Sequence, residues 1–302
     1  MIISKIIESV PNFSEGQNER IIKKIISPIK NKRGVKLLDS SADKDHNRLV
    51  VTLIGEPDSV QEAVLNASLI AIENIDMNKH TGEHPRMGAV DVVPFTPVRN
   101  ISMDEVIKIS ENFAKNLATD INLPVFLYEE SAKRESRKNL ADIRRGEYEG
   151  LADKLANKDW QPDFGPAKPH ETAGATAVGA RMPLVAFNIN LDTDDKSVAD
   201  DIARKIRNSS GGLRYCKAIG IDLAERGIVQ VSMNLTNYKK TSLYQVKEMI
   251  KMEAKKYGVN IIGSELIGLL PSQALIESAE YYLQLEDFNK EQIIENRLLE
   301  DL

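Results

Sequence analysis

The stretch VKLLDSSADKDHNRLVVTLIGEPDSVQEAVLNASLIAIENI, residues 35–75, decides the fold. Two short runs rich in Val, Leu and Ile, VKLLDSS and RLVVTLIG, are separated by the polar connection ADKDHN. Such a pattern predicts two strands joined by a turn. Pro57 and Asp58 then start a helical pattern that runs to Ile75, as proline at the first turn and an early acidic residue favour. Outward on the N-terminal side, IISKIIESV (residues 2–10) predicts a strand and residues 18–29 a helix, because IIKKIISPI repeats apolar residues three to four apart. On the C-terminal side, AVDVVPFTPV predicts a strand, Ser102 caps a helix to about Ala118, and PVFLYEE predicts another strand. The order is β-α-β-β-α-β with additions, the nucleus of an α/β (α+β) layered sheet.

A charged helical stretch is expected over 131–156, interrupted near Gly146. Between Trp160 and Arg181 the texture changes to WQPDFGPAKPHETAGATAVGAR, in which neither period fits, and this segment is expected to be a linker. Beyond it the alternation restarts. LVAFNINL, AIGIDL, IVQVSMNL and VNIIGSELIGLL predict strands; residues 196–207, 242–257 and those from Pro271 predict helices, and the charged tail a helix or a frayed end. Two domains are expected, 1–180 and 181–302.

The chain has 302 residues, 42% hydrophobic and 28% charged, which is enough to bury a sizeable core. A net charge of -5 gives no bulk attraction to nucleic acid. No run approaches the ~20 apolar residues of a membrane span. One cysteine, Cys216, leaves no internal disulfide framework. A soluble cytoplasmic protein without nucleic-acid or membrane partners is expected.

Only four histidines occur, and two fall in HTGEHPRMGAVDVVPF, residues 80–95. Pro85 holds His84 extended, while Gly82 and Gly88 allow close backbone approach. A histidine presented this way suits acid–base work near neutral pH. Glu83 and Arg86 flank it as orienter and anion contact. A metal site on His80 and His84 with Asp91 near, or on His46, His80 and His84, is a rival, although glycine and proline break the helix that an H-x-x-x-H pair needs. PNFSEG, residues 11–16, enters a helix as an anion site or as plain capping by Ser14 or Asn18. DSSADKDHNR, residues 39–48, offers carboxylates, His46, Asn47 and Arg48, or turn chemistry alone.

Taken together, PNFSEG, Leu37–Asp39 with Asn47 and Arg48, GEHPRMGAVDVVPF, DFGP, GATAVGAR and AFNINL resemble, in order and spacing, the glutamate formimidoyltransferase (formiminotransferase) family. The resemblance covers nearly the whole chain. It implies two ferredoxin-like α/β subdomains, each a mixed sheet covered by helices, with a ligand groove between them. It implies transfer of a formimidoyl group between N-formimidoyl-L-glutamate and tetrahydrofolate, giving L-glutamate and 5-formimidoyltetrahydrofolate. It further implies a homodimer, no metal, and no cyclodeaminase domain after the transferase part. The family's catalytic histidine falls on His84. Its folate-binding segment falls on Gly165, Pro166, Ala167, Lys168, Pro169, His170, Glu171, Thr172, Ala173 and Gly174, where Lys168, His170 and Glu171 depart from the animal pattern. Ser41 stands where animal members carry a carboxylate that assists the histidine, and Asp39, Asp43 or Asp45 are its replacements. Arg48, Arg86 and Arg181 are the expected ligands of substrate carboxylates, since a guanidinium pairs bidentately with them; Asp39, Ser41 and Asn47 complete the expected substrate set. The alternatives are a 5-formyltetrahydrofolate:glutamate formyltransferase on the same site, a folate-binding protein with little turnover, and a metallohydrolase.

Overall fold

The computed structural model describes residues 5–300. Of the strand expected over 2–10, residues 2–4 lie outside the described residues, as do the last two of the tail. The chain divides into two compact units, Met1–Arg181 and Met182–Leu302.

The first unit contains β1 (Ile6–Ser9), β2 (Asn12–Phe13), α1 (Glu19–Lys30), β3 (Val35–Asp43), β4 (Arg48–Gly55), α2 (Pro57–Asn74), β5 (Val90–Arg99), α3 (Met103–Ile121), β6 (Val125–Glu129), α4 (Leu140–Arg144), α5 (Leu151–Ala156) and β7 (Thr176–Ala180). Strand β4 pairs antiparallel with β3 on one side and with β1 and β2 on the other, and β1 and β2 pair in turn with β5. The order β3-β4-β1-β5 is that of a ferredoxin-like βαββαβ unit. Strands β7 and β6 extend it in parallel beyond β5.

Local chemistry explains the boundaries. Asn18 caps α1 by accepting from the backbone N–H groups of Arg20 and Ile21. Ser102 and Glu105 form a capping box at the start of α3. Alternation along β4 sends Leu49, Val51 and Leu53 to the helical side, where they are fully buried with Val60, Val64 and Ala67 of α2 and Phe113 of α3. Each fully buried large apolar side chain here contributes about 1.5–3 kcal/mol.

Two expectations fail. The helical stretch expected over 131–156 is only two short helices, α4 and α5, and a 3-10 turn at Glu135–Arg137. Gly146 and Glu147 both take positive φ, 90° and 54°, and turn the chain between the helices. There α4 and α5 bring Ile143, Leu151 and Leu155 onto Val92, Phe126, Tyr128 and Ala177, so part of the second sheet face is covered as well.

The expected linker is also no linker, since it supplies β7 between β5 and β6. TAVGA is buried at every position, so it carries no alternation to read. A Cβ on Gly179 would stand 2.3 Å from the Tyr128 carbonyl oxygen and 2.7 Å from its ring. Gly179→Ala is expected to destabilise the unit by about 1–3 kcal/mol, as overpacking does. It would be read as a lower urea midpoint at unchanged m.

The second unit runs β8 (Val185–Leu191), α6 (Lys196–Ile206), β9 (Cys216–Leu223), β10 (Ile228–Leu235), α7 (Leu243–Lys255), β11 (Ile261–Ile267), α8 (Ser272–Leu283) and α9 (Ile294–Glu300). Its order β11-β8-β10-β9 repeats the ferredoxin-like arrangement. This sheet is antiparallel throughout rather than mixed. Phe187, Ile189, Leu191, Val229, Val231 and Met233 pack with Val198, Ile202, Val246 and Ile250 of α6 and α7.

Candidate active site

The turn between β3 and β4 is held by its own side chains. Asp43 Oδ1 accepts from the backbone N–H groups of Asp45 (3.0 Å) and His46 (2.9 Å), and Oδ2 lies 2.8 Å from His46 Nδ1. Asn47 follows at φ 47°, a left-handed conformation that asparagine tolerates. Its Oδ1 accepts from Gly16 N–H at 2.8 Å and its Nδ2 donates to the Thr81 carbonyl at 2.8 Å. Asn47, expected at a substrate, thus ties three segments together. PNFSEG has the same character. Besides the Gly16 bond, Ser14 Oγ donates to the Gly88 carbonyl at 2.8 Å, so Ser14 braces the segment while Asn18 caps α1.

The His80 loop packs on this turn. A Cβ on Gly82 would meet the His46 carbonyl oxygen at 2.6 Å. His80 Nε2 donates to the Asn47 carbonyl at 3.1 Å, and its Nδ1 accepts from Arg86 Nε at 3.3 Å. Both ring nitrogens are taken, which removes His80 from a metal set with His46 and His84. Arg86 is equally occupied, having further donors on Glu147 (2.9 Å), on both oxygens of Glu149 (2.9 and 2.7 Å) and on the His80 carbonyl (3.4 Å). All five N–H groups of this buried guanidinium have acceptors. The structure uses Arg86, read from sequence as a substrate ligand, as an internal clasp.

His84 stands differently. Arg48 Nη1 lies 3.4 Å from His84 Nε2. A guanidinium only donates, so Nε2 of the neutral ring is the acceptor and the proton sits on Nδ1. The His46 ring meets His84 edge-on at 6.3 Å. Of the carboxylates expected to assist His84, Asp43 lies on the His46 ring. Glu83, the expected orienter, is exposed. A second guanidinium approaches from α4, where Arg144 pairs with the buried Asp91, whose other oxygen accepts from Met87 N–H at 2.9 Å. Burial, then Arg48, Arg144, His46 and Arg86, push the His84 pKa down from 6.5 to about 3. At neutral pH the ring is an unprotonated base.

That shift has a stability consequence with a definite sign. The unfolded chain protonates His84 below about 6.5 and the folded chain only near 3, so folding stability declines as pH falls through that window. Urea unfolding at pH 7 and pH 5 should show a larger loss for wild type than for His84→Gln. An equal loss in both would mean that His84 is not held neutral.

Strand register places Asp39, Ser41 and Asp43 opposite Thr52, Val50 and Arg48, on the sheet face away from Leu49, Val51 and Leu53. Asp39 Oδ1 accepts from its neighbour Ser40 N–H, and Asp39 and Ser41 are both exposed. Glu8, opposite Ile54, shares this face. Burial raises its pKa, which Arg181 partly offsets. Arg181 also lies close to Tyr128, whose hydroxyl burial pushes up to about 12. The face therefore gathers His84, Arg48, Arg144 and Arg181 along one polar surface. Cys216 is buried in the other unit with its thiol pushed up to about 12, so it is no nucleophile.

The segment 163–174 is tied to β6 and to residues 77–78. Asp163 pairs with the buried Arg137 at 2.7 Å and accepts from Leu127 N–H at 2.8 Å. His170 Nδ1 accepts from the backbone N–H groups of Thr172 and Ala173, so His170 staples its own loop. The Thr172 carbonyl accepts from Met77 N–H, and Asn78 Nδ2 donates to the Glu171 carbonyl. Ala173 is buried; Gly165, Ala167, Lys168 and Glu171 are exposed; Pro166 is half-buried. A depression of about 490 Å³ runs between Met77, Asn78, His80, Tyr148 and Pro169. It borders the expected folate segment without being lined by His84.

Comparison with known proteins decides the family. The N-terminal subdomain of the formiminotransferase domain matches residues 6–181, and the formiminotransferase domain matches residues 186–299. The chain belongs to the formiminotransferase family. It is 55% identical to a glutamate formimidoyltransferase of Streptococcus pyogenes serotype M1, over 98% of this chain and 100% of that protein. A glutamate formimidoyltransferase of Thermoplasma acidophilum is 40% identical over 97% of both chains. The formimidoyltransferase-cyclodeaminase of Rattus norvegicus is 42% identical over 98% of this chain, which spans 57% of that longer protein.

Within this family frame, sequence reasoning missed Arg144, Asp91 as its anchor, and the two glutamates that clasp Arg86. The available signal was RRGEYEG, residues 144–150, whose charges flank a glycine beside the break in the expected helix.

Proposed function

We propose that this protein is a glutamate formimidoyltransferase, moving the formimidoyl group between N-formimidoyl-L-glutamate and tetrahydrofolate, with His84 as acid–base catalyst. Family membership and similarity along the whole length to proteins of that name support the reaction. The observation that carries the role of His84 is its neutral ring beside Arg48, with Arg144 close by, on an open polar sheet face.

In this reading Arg48 turns from His84 to a substrate carboxylate, N5 of tetrahydrofolate attacks the amidine carbon, forming the N5–C bond, and the freed His84 Nε2 takes the proton that N5 loses. The resulting imidazolium returns that proton to the glutamate nitrogen as the C–N bond to glutamate breaks. L-Glutamate leaves and 5-formimidoyltetrahydrofolate remains. Proton transfer of this kind contributes about 10²–10⁴ in rate. Arg48 and Arg181 supply charge for substrate carboxylates, and residues 165–174 are the proposed contact for tetrahydrofolate, which enters as a co-substrate. A cytoplasmic location and a homodimer belong to the same proposal. An unpaired, buried cysteine supports the first, and light scattering measures the second.

The test is a transfer assay on wild type with both substrates, following 5-formimidoyltetrahydrofolate after acid conversion to its methenyl form. Methenyl product that requires both substrates and enzyme is the expected result. Its absence would overturn the reading.

A further inference from the structure

Arg144 has no role in the scheme above, yet it is built with care. The five-residue helix α4 carries it, and its partner Asp91 is 1% exposed. Asp91 also holds Met87 N–H, three residues beyond His84, so one buried carboxylate fixes both the guanidinium and the strand entry that follows the histidine. Among the described residues, Nε of Arg48 and Nε of Arg144 are both buried without an acceptor.

The charges that act most strongly on His84 are positive. From the hairpin, Arg48 and His46 act on His84, and Asp43 lies on His46. Arg144 comes from α4, with Asp91 of β5 on it. From the His80 loop, Arg86 is matched by Glu147 and Glu149. Arg48 has the neutral imidazole of His84 as its side-chain hydrogen-bond partner; burial and then Arg144 disfavour its charge, which Asp43 and Asp91 partly offset. One anion at this point would satisfy the idle donors and offset the positive field at His84.

We propose that Arg48 and Arg144 form a two-pronged clamp for one substrate carboxylate, and that Asp91 is the positioning residue that aims Arg144 into it. The proposal rests on the transferase reading and deepens it. Carboxylate in the clamp screens the positive charge on His84, so the histidine becomes a stronger base once substrate is bound. The carboxylate comes either from the amino-acid donor or from the glutamate tail of the folate.

The experiment compares wild type with Arg144→Gln, Arg144→Lys and the double variant Asp91→Asn/Arg144→Gln, which removes the buried pair together and so protects folding. Steady-state KM is measured for N-formimidoyl-L-glutamate, for tetrahydrofolate and for tailless tetrahydropteroate. The His84 titration is followed by imidazole NMR with and without L-glutamate. If the donor supplies the carboxylate, its KM rises roughly 10- to 100-fold in Arg144→Gln and the double variant, and by less in Arg144→Lys, as loss of a charge-assisted contact predicts. In wild type L-glutamate then moves the His84 midpoint upward, and this response shrinks in the glutamine variants. If the folate tail supplies it, KM rises for tetrahydrofolate and not for tetrahydropteroate, and the clamp stands with that ligand. KM values all within about twofold of wild type, with an unchanged His84 response, would overturn the clamp and leave Arg144 structural. The NMR titration needs no turnover, so failure of the clamp and failure of the transferase reading are told apart.

Discussion

His84→Ala is expected to lower kcat by about 10²–10⁴, the range that a general acid–base group contributes. The affinity for tetrahydrofolate should stay close to that of wild type, because residues 165–174 hold their loop through His170, Met77 and Asn78 rather than through His84. Truncation also leaves the local frame standing. Asn47 still bridges Gly16 and Thr81, and Arg86 still clasps Glu147 and Glu149. A loss confined to kcat would therefore be chemical in origin. Stopped-flow single turnover with saturating substrates separates this from product release. Near-normal turnover in the variant would mean that the proton moves through another group.

The second large effect concerns stability. Arg137 is 1% exposed, and Asp163 is the carboxylate that neutralises it, at 2.7 Å. Its remaining bonds go to the carbonyls of Asp159 and Gln161, and its guanidinium lies 5.4 Å from the Phe126 ring centre. Asp163→Ala strands this charge in the interior and is expected to cost about 3–5 kcal/mol. A domain holds only about 5–15 kcal/mol in total, so most of the margin would go. Replacing both residues, as Asp163→Ala with Arg137→Met, should recover much of the loss, because a buried ion pair contributes little over an apolar pair of similar volume. Urea unfolding of the single and double variants checks this. A single-variant cost below about 1 kcal/mol would show that Arg137 finds another neutraliser.

The effect at Asp163 bears on what the DFGP segment does. From sequence it is part of a glycine- and proline-rich linker. In the fold its aspartate is a structural counter-ion and its glycine a tight passage, since a Cβ on Gly165 would stand 2.1 Å from the Leu123 carbonyl oxygen. Expectation and structure diverge here because Arg137 and Asp163 are joined by folding alone, and no local period marks a pairing of that reach. Strand β7 was hidden for a related reason. Its five residues are all buried, small or β-branched, and strand reading depends on alternation.

Elsewhere local chemistry agreed with the fold and was legible. Asn18 and Ser102 act as caps, β4 alternates cleanly, and Pro57 opens α2. The duplicated βαββαβ order could be read from element order with no residue repeat to help, because each half needs one apolar sheet face and two amphipathic helices. At the candidate site the histidine announced itself by its glycine and proline setting, and Arg48 by its neighbours. Arg144 did not, because its meaning lies in Asp91, 53 residues earlier in the chain. Arg86 misled in the opposite direction. Its position in GEHPR suggested a ligand contact, while all five of its donors already have acceptors within the chain.

The most direct measurement uses N-formimidoyl-L-glutamate carrying ¹³C in the formimidoyl carbon, ¹⁵N in its terminal nitrogen and unlabelled glutamate nitrogen. It is incubated with tetrahydrofolate and wild-type protein and followed by NMR. Direct transfer predicts that ¹³C and ¹⁵N appear together on N5 of the folate, still bonded to each other, with unlabelled L-glutamate released in equal amount. Release of ¹⁵N as ammonia with ¹³C arriving as a formyl group, or no transfer at all, would contradict it.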